Sequence, residues 1–236
     1  MLWLAEAATG ECRFAALAAE SAQRLRSRIG APTVLRDFVF WYGAGIAAVL
    51  DPARHAQAEL AIAAARSLAA DFDPVARLLP PGVQDARLYR WPRPGACIDG
   101  LPGAVPLLAF AAARTGDDRL RDIALAHARG HLALCMRADG SVAQSATYDR
   151  QGRLSGQASI EGSSRDSTWA RAQAWAMLGL AQAAHLAGEE LTLSAKRAAD
   201  WYLDHLPADD IRHRRFLTPA HRPPGEEHQL SQDRPP

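Results

Sequence analysis

The chain has 236 residues, with 27 Lys and Arg against 26 Asp and Glu, for a formal net charge of +1. That length holds one large domain or two small ones around a core of ordinary size. The near-zero charge excludes bulk attraction to nucleic acid or anionic membrane as the main business of the chain, and 48% hydrophobic with 22% charged residues is a globular composition. Cys12, Cys97 and Cys135 lie far apart and in no zinc-like spacing, which fits a reducing compartment. Met1-Leu2-Trp3-Leu4-Ala5-Glu6 lacks the basic and long apolar regions of a signal peptide, and no apolar run is long enough for a membrane span. The expected location is cytoplasmic.

In chain order, apolar residues recur at helical spacing over about 2–20, 38–50, 55–70, 103–114, 118–135, 168–187 and 190–205. Ala, Leu and Arg, all strong helix formers, dominate these stretches. Three helix breaks share a pattern: Thr9-Gly10-Glu11, Thr115-Gly116-Asp117 and Ala187-Gly188-Glu189. In each, Gly supplies a left-handed residue after one helix and the acid can cap the next. Leu50-Asp51-Pro52 makes a fourth break. The pattern predicts helical hairpins with short turns. A small β-hairpin is expected around Asp149-Arg150-Gln151-Gly152. Two longer loops, Asp73 to Asp99 and Arg137 to Asp166, are too long for idle connections in a helical domain and are expected to gather at the mouth of a pocket. Residues 1–210 form the predicted helical domain. From Ile211 to Pro236 the apolar periodicity vanishes, and this tail is expected to be disordered.

No phosphate-binding loop, dinucleotide fingerprint, HExxH or GxSxG is present. The candidates for chemistry are acids beside aromatic or apolar residues. Asp37 stands in Arg36-Asp37-Phe38-Val39-Phe40-Trp41, and Asp99 in Cys97-Ile98-Asp99-Gly100-Leu101. Each starts a predicted helix, so each reads either as an ordinary N-cap or as one of two carboxylates at a pocket mouth, one raised in pKa by burial so that it can donate a proton. In Asp166-Ser167-Thr168-Trp169-Ala170-Arg171-Ala172-Gln173-Ala174-Trp175, the side chains of Trp169, Arg171, Gln173 and Trp175 cannot all face one core. Ser167 or Asp166 is the expected helix cap. Either one Trp is core and Arg171 is solvated, or indole faces and a forked guanidinium serve a sugar acid.

Five stretches occur together in one order: Met1-Leu2-Trp3-Leu4-Ala5, Arg36-Asp37-Phe38-Val39-Phe40, Ile98-Asp99-Gly100-Leu101, Arg137-Ala138-Asp139-Gly140-Ser141, and Ser167-Thr168-Trp169-Ala170-Arg171-Ala172-Gln173-Ala174-Trp175. In this they resemble the unsaturated glucuronyl hydrolases, glycoside hydrolase family 88. The resemblance runs from residue 1 to about residue 210. It implies an all-α fold, the (α/α)6 barrel of six helical hairpins. It also implies hydration of the C4=C5 enol ether of 4,5-unsaturated glucuronic acid at the non-reducing end of lyase-generated oligosaccharides. Asp99 then matches the general acid/base and Asp37 its partner; Trp169, Arg171, Trp175, Gln144, Glu161 and Trp91 match substrate-binding positions. No metal or organic cofactor is implied.

Departures from the family pattern are local. Gln144 stands where the family commonly has His, and Glu161, in Ile160-Glu161-Gly162, where it commonly has Gln. Glu161 would set a negative charge against a substrate carboxylate unless it is protonated or turned away. These changes leave room for an unsaturated rhamnogalacturonyl hydrolase, or for a degenerate helical scaffold without activity. A closed ring uses twelve helices, whereas hydrophobic periodicity marks seven or eight. The expectation is therefore an incomplete barrel with wet apolar faces near Trp3 and Trp201, weak or no activity alone, and aggregation, a low melting temperature or edge-to-edge self-association.

Overall fold

A computed structural model describes residues 2–31, 33, 35–79, 81, 95–187, 189–206 and 215–216. Among them nine α-helical segments run in order: α1 (Leu2–Thr9), α2 (Cys12–Leu25), α3 (Arg36–Phe40), α4 (Ile46–Leu50), α5 (His55–Ala70), α6 (Leu101–Thr115), α7 (Asp118–Cys135), α8 (Ala170–Ala187) and α9 (Glu189–Asp204). The expected breaks are where the sequence puts them. Gly10 and Gly116 take φ of +72° and +70°, the left-handed conformation that ends α1 and α6. Asp117 caps α7 by accepting from the Arg119 amide at 3.2 Å, while Glu11 precedes α2 without a side-chain cap. Asp51 ends α4 and accepts from the Ala53 amide at 3.0 Å. Gly188 lies outside the described residues. The helices pack as neighbouring pairs, α1 on α2, α6 on α7 and α8 on α9.

Between α3 and α4 the chain makes one wide π turn, Trp41–Gly45, that periodicity does not reveal. Such a turn loosens the regular ladder and leaves carbonyls available. The Trp3 indole of α1 donates to the Gly43 carbonyl there, at 2.8 Å. The Arg54 guanidinium covers the Trp3 ring at 4.6 Å and pairs with both oxygens of Glu6. Trp3 is therefore buried, contrary to the expectation of a wet face. Trp201 is buried too, stacked on His205 with centroids 4.0 Å apart and packed on Ala170, Met177 and Leu206. Both rings find partners within the chain that helical spacing alone does not show. The exposed large apolar side chains lie elsewhere, among them Leu17, Val49, Leu50, Leu178, Leu193 and Leu203.

The expected β-hairpin forms as β2 (Ser145–Tyr148) and β3 (Leu154–Ala158), and β1 (Gly95–Cys97) adds to it as an unforeseen third strand, with Cys97 opposite Ser145. A two-residue strand β4 (Thr168–Trp169) leads into α8 and pairs with β5 (Arg215–Phe216). This corrects the reading of the whole 211–236 tail as disordered: main-chain pairing needs no apolar period, so the contact leaves no trace in the sequence pattern. The rest of the tail lies outside the described residues. No helix among the described residues is long and apolar enough to cross a membrane.

Helix α6 joins the two main cores. Leu107, Leu108 and Ala111 pack with α1 to α5, while Leu101 and Val105 pack with α7, α8 and the sheet. Its sequence is apolar on every side, as a central helix requires. The approach of α3 to α6 depends on Gly103, where an added Cβ would stand 2.5 Å from the Phe38 nitrogen and 2.9 Å from Asp37 Oδ2. Backbone cannot yield as a flexible side chain can. Gly103→Ala is expected to destabilise the protein by about 1–3 kcal/mol through overpacking, measured as a lower urea midpoint; an unchanged midpoint would show that α3 moves freely.

Candidate active site

Asp37 is the second residue of α3, and the preceding N-cap position belongs to Leu35, a non-glycine residue at φ +51° with no side-chain cap. Asp99 is the middle residue of a short 3-10 turn, Ile98–Gly100, directly before α6. Neither acid serves as the N-cap that spacing allows. Both are instead buried, at 8% and 7% exposure. Asp37 Oδ2 lies against the first turn of α6, 3.4 Å from where a Cβ on Gly100 would be. Asp99 immediately precedes Gly100 in the chain, and the charges of both acids act on the Cys97 thiol. Asp37 thus rests against the foot of α6, and Asp99 directly precedes that helix in the chain.

Burial raises Asp37 to about 7, against the backbone amides of Phe38, Asp37 and Ala104 and the charge of Arg36. Burial also raises Asp99 to about 6; Arg171 opposes this, Glu161 adds to it, and a hydrogen bond from Gln144 opposes it. Desolvation by burial is the leading cause for each, and neither acid figures among the causes of the other's shift. Among the described residues Asp99 Oδ1 is buried without a hydrogen-bond partner. Such an oxygen is free to give or take a proton.

The segment carrying Asp99 is held from two sides. On one, β1 pairs with β2, and the Ile98 amide donates to the Gln144 carbonyl at 3.0 Å. On the other, His131 of α7 stands between the carbonyl oxygens of Cys97 (Nε2, 2.9 Å) and His127 (Nδ1, 3.0 Å), and its neutral ring donates its single N–H to one of them. His127 in turn accepts from the Leu79 amide through Nδ1 at 3.0 Å. Burial holds both imidazoles below their ordinary value, and it pushes the Cys135 thiol up to about 12. These residues brace the site and remain uncharged. The sequence reading passed over the two histidines, although their i, i+4 spacing puts them on one face of α7.

The other expected residues fall into two groups. Gln144 is buried, and its Oε1 accepts from the Glu161 amide at 3.0 Å, so its NH2 group is the part that serves Asp99. Glu161 is turned toward Arg171, with Oε2 3.2 Å from Nη2. The Arg171 guanidinium lies over the Trp169 ring at 4.0 Å. Trp169 itself is 3% exposed within the core, so its covered face corrects the expectation of an indole open to a sugar ring. Trp175 is half-buried and meets Phe38 edge-on at 5.5 Å, and Phe38 meets Tyr42 at 4.4 Å, an aromatic wall beside Asp37. Trp91 lies outside the described residues.

Three further residues of the family-like stretches have structural work. Arg137 donates to Ser141 Oγ at 3.2 Å and to Thr168 Oγ1 at 3.0 Å, fastening the Asp139-Gly140-Ser141 turn to β4. Buried Gln173 donates to the carbonyls of Gly140 and Ala198 at 3.0 and 2.9 Å. Ser167, one of the two expected caps of α8, instead closes a turn with Ser164 at 2.7 Å, and α8 begins three residues later at Ala170. Among the described residues no group of three or more His, Cys, Asp or Glu is placed to hold a metal ion.

No family model matches the chain. An unsaturated glucuronyl hydrolase of Bacillus sp. (strain GL1) is 32% identical over 117 residues, 49% of this chain and 31% of that protein. An unsaturated chondroitin disaccharide hydrolase of Streptococcus pyogenes serotype M1 is 33% identical over 109 residues, 45% of this chain and 27% of that protein. The crystal structure of the Bacillus sp. GL1 unsaturated glucuronyl hydrolase superposes with a TM-score of 0.79 at 25% identity, covering 92% of this chain and 58% of that one. The chain is therefore similar to unsaturated glucuronyl hydrolases in sequence and in fold. It has the helical-hairpin architecture of their six-hairpin barrel and spans somewhat over half of its length.

The buried acids link stability to pH. Asp37 sits at about 7 against an ordinary 3.8, so the folded state favours its neutral form. The resulting stabilisation is complete below pH 3.8 and is lost as pH rises through 7. Asp37→Asn is expected to gain stability over the wild type between pH 4 and pH 8, by at most about 4 kcal/mol. Urea titrations at the two pH values measure this; a gain that is equal at both would show that Asp37 folds ionised.

Proposed function

From the likeness to unsaturated glucuronyl hydrolases we propose that the chain carries the site of an enol-ether hydratase acting on sugar acids. Its substrate is 4,5-unsaturated glucuronic acid at the non-reducing end of an oligosaccharide. The observation that carries this reading is a buried Asp99 with one unpartnered oxygen, raised to about 6 and flanked by Gln144, Glu161 and Arg171.

The chemistry follows from that carboxyl. In its protonated form Asp99 gives a proton to C4, and the π electrons of C4=C5 form the new C–H bond. Positive charge develops at C5 and on the ring oxygen. The Asp99 carboxylate now accepts a proton from water as that water attacks C5. The hemiketal so formed opens between C5 and the ring oxygen, leaving a ketone at C5. C1, now bearing a hemiacetal oxygen, becomes an aldehyde as it releases the linked sugar. One residue thus serves as acid and then as base. Asp37, buried beside the first turn of α6, stabilises the developing cation when ionised and shapes the floor of the site when neutral. The Trp175, Phe38 and Tyr42 rings supply an apolar wall for the sugar ring, and the Arg171 guanidinium suits its carboxylate.

Incubating the protein with an unsaturated uronyl disaccharide should bleach the enol-ether absorbance in the ultraviolet. Asp99→Asn should lower kcat by at least about 100-fold, the scale of lost general acid–base catalysis. For the wild type, kcat/KM should fall as pH rises above about 6, where Asp99 loses the proton it must donate. Full turnover by the Asn variant would overturn the assignment, and an unbleached substrate with the wild type would favour a helical scaffold.

A further inference from the structure

We infer that Glu161 sets the charge selectivity of the site by holding the Arg171 guanidinium with a carboxylate of its own. The inference deepens the proposed function and rests on its reading of Arg171 as the group that meets a substrate anion.

The geometry is specific. Arg171 is exposed at the start of α8, yet it is not free: one face lies on the Trp169 ring, and Nη2 is 3.2 Å from Glu161 Oε2. Glu161 cannot simply swing away with its loop. Its backbone amide is tied to Gln144 Oε1 at 3.0 Å, and the loop is closed by the Ser159 amide on the Arg165 carbonyl at 2.8 Å and the Gly162 amide on the Ser159 carbonyl at 3.1 Å. Gln144 is itself buried and bound to Asp99. The carboxylate is therefore delivered to Arg171 by a fixed backbone, with only the Glu161 side chain left to turn.

The consequence lies in local charge. Among the described residues the Arg171 guanidinium is balanced by a carboxylate of the same chain. An anionic sugar must displace Glu161 from Arg171 and then remain beside the displaced charge; a neutral sugar meets no such competition. The pair has a single short contact and is partly solvated, with side-chain exposures of 54% for Arg171 and 27% for Glu161. A pair of that kind is weak enough to be exchanged. Glu161 thus acts as an internal competitor: it lowers affinity for a uronate without closing the site, and it biases selection toward substrates whose remaining contacts offset the exchange.

D-glucuronate and D-glucose serve as matched probes, since they differ in the carboxylate. Binding of each to the 236-residue protein is followed by nuclear magnetic resonance titration. Glu161→Gln should bind glucuronate about fivefold more tightly than the wild type, with glucose binding unchanged. Glu161→Ala should show the same gain, which guards against a misplaced Gln side chain. Adding Arg171→Gln to either variant should abolish the gain. Equal glucuronate affinity in wild type and both Glu161 variants, undetectable binding by those variants, or a gain that survives loss of Arg171 would each overturn the inference. A glucuronate gain without bleaching of any unsaturated disaccharide would count against the proposed reaction while upholding the role of Glu161.

Discussion

The structure turns on the removal of two carboxyl groups from water where α3 crosses the first turn of α6. Gly103 lets the backbones approach closely enough for Asp37 to rest on α6, and the short turn before that helix presents Asp99 nearby. An unpaired carboxylate in such a place is costly. The cost is what shifts both groups toward neutrality, and a neutral carboxyl near physiological pH is a proton donor. Packing and chemistry therefore share one cause.

Around this point the polar groups are arranged by main-chain hydrogen bonding more than by charge pairing. The β1–β2 ladder fixes the backbone leading to Asp99, and His131 reaches the Cys97 carbonyl from the opposite side. Gln144 is the link between layers: its backbone carbonyl receives the Ile98 amide, its side-chain oxygen receives the Glu161 amide, and its NH2 serves Asp99. A rigid surround of this kind holds a proton-transfer group in place, while burial outweighs the Arg171 charge that would pull its pKa down.

The stretch from Asp166 to Trp175 divides its residues between construction and the site. Trp169 and Gln173 are buried and join the loop, α8 and α9, whereas Arg171 faces outward and Trp175 stands beside Phe38. The division comes from the change of period at Ala170. Before it, a two-residue strand sends successive side chains to opposite faces; after it, the helix turns each residue through a new direction. One short run of sequence can thus both anchor a helix and line its end.

Helix positions, the left-handed glycines and the Asp-Pro break were legible in the sequence because they depend on neighbours three or four residues away and on backbone conformations open to few residue types. Asp37, Asp99, Arg171 and Trp175 stood out for the same local reason, as charged or amphipathic residues in apolar surroundings. What the sequence could not decide was which side of each residue meets which element. That Trp169 is covered by Arg171, that Trp3 is sealed by Arg54, that β1 joins the hairpin and that Arg215–Phe216 pairs with β4 all depend on contacts across long stretches of chain. The two raised carboxyls belong to that second class. An acid beside apolar residues is equally a cap at a wet helix end or a proton donor in a dry cleft, and only tertiary packing, of α3 on α6 for Asp37, excludes the water that separates the two.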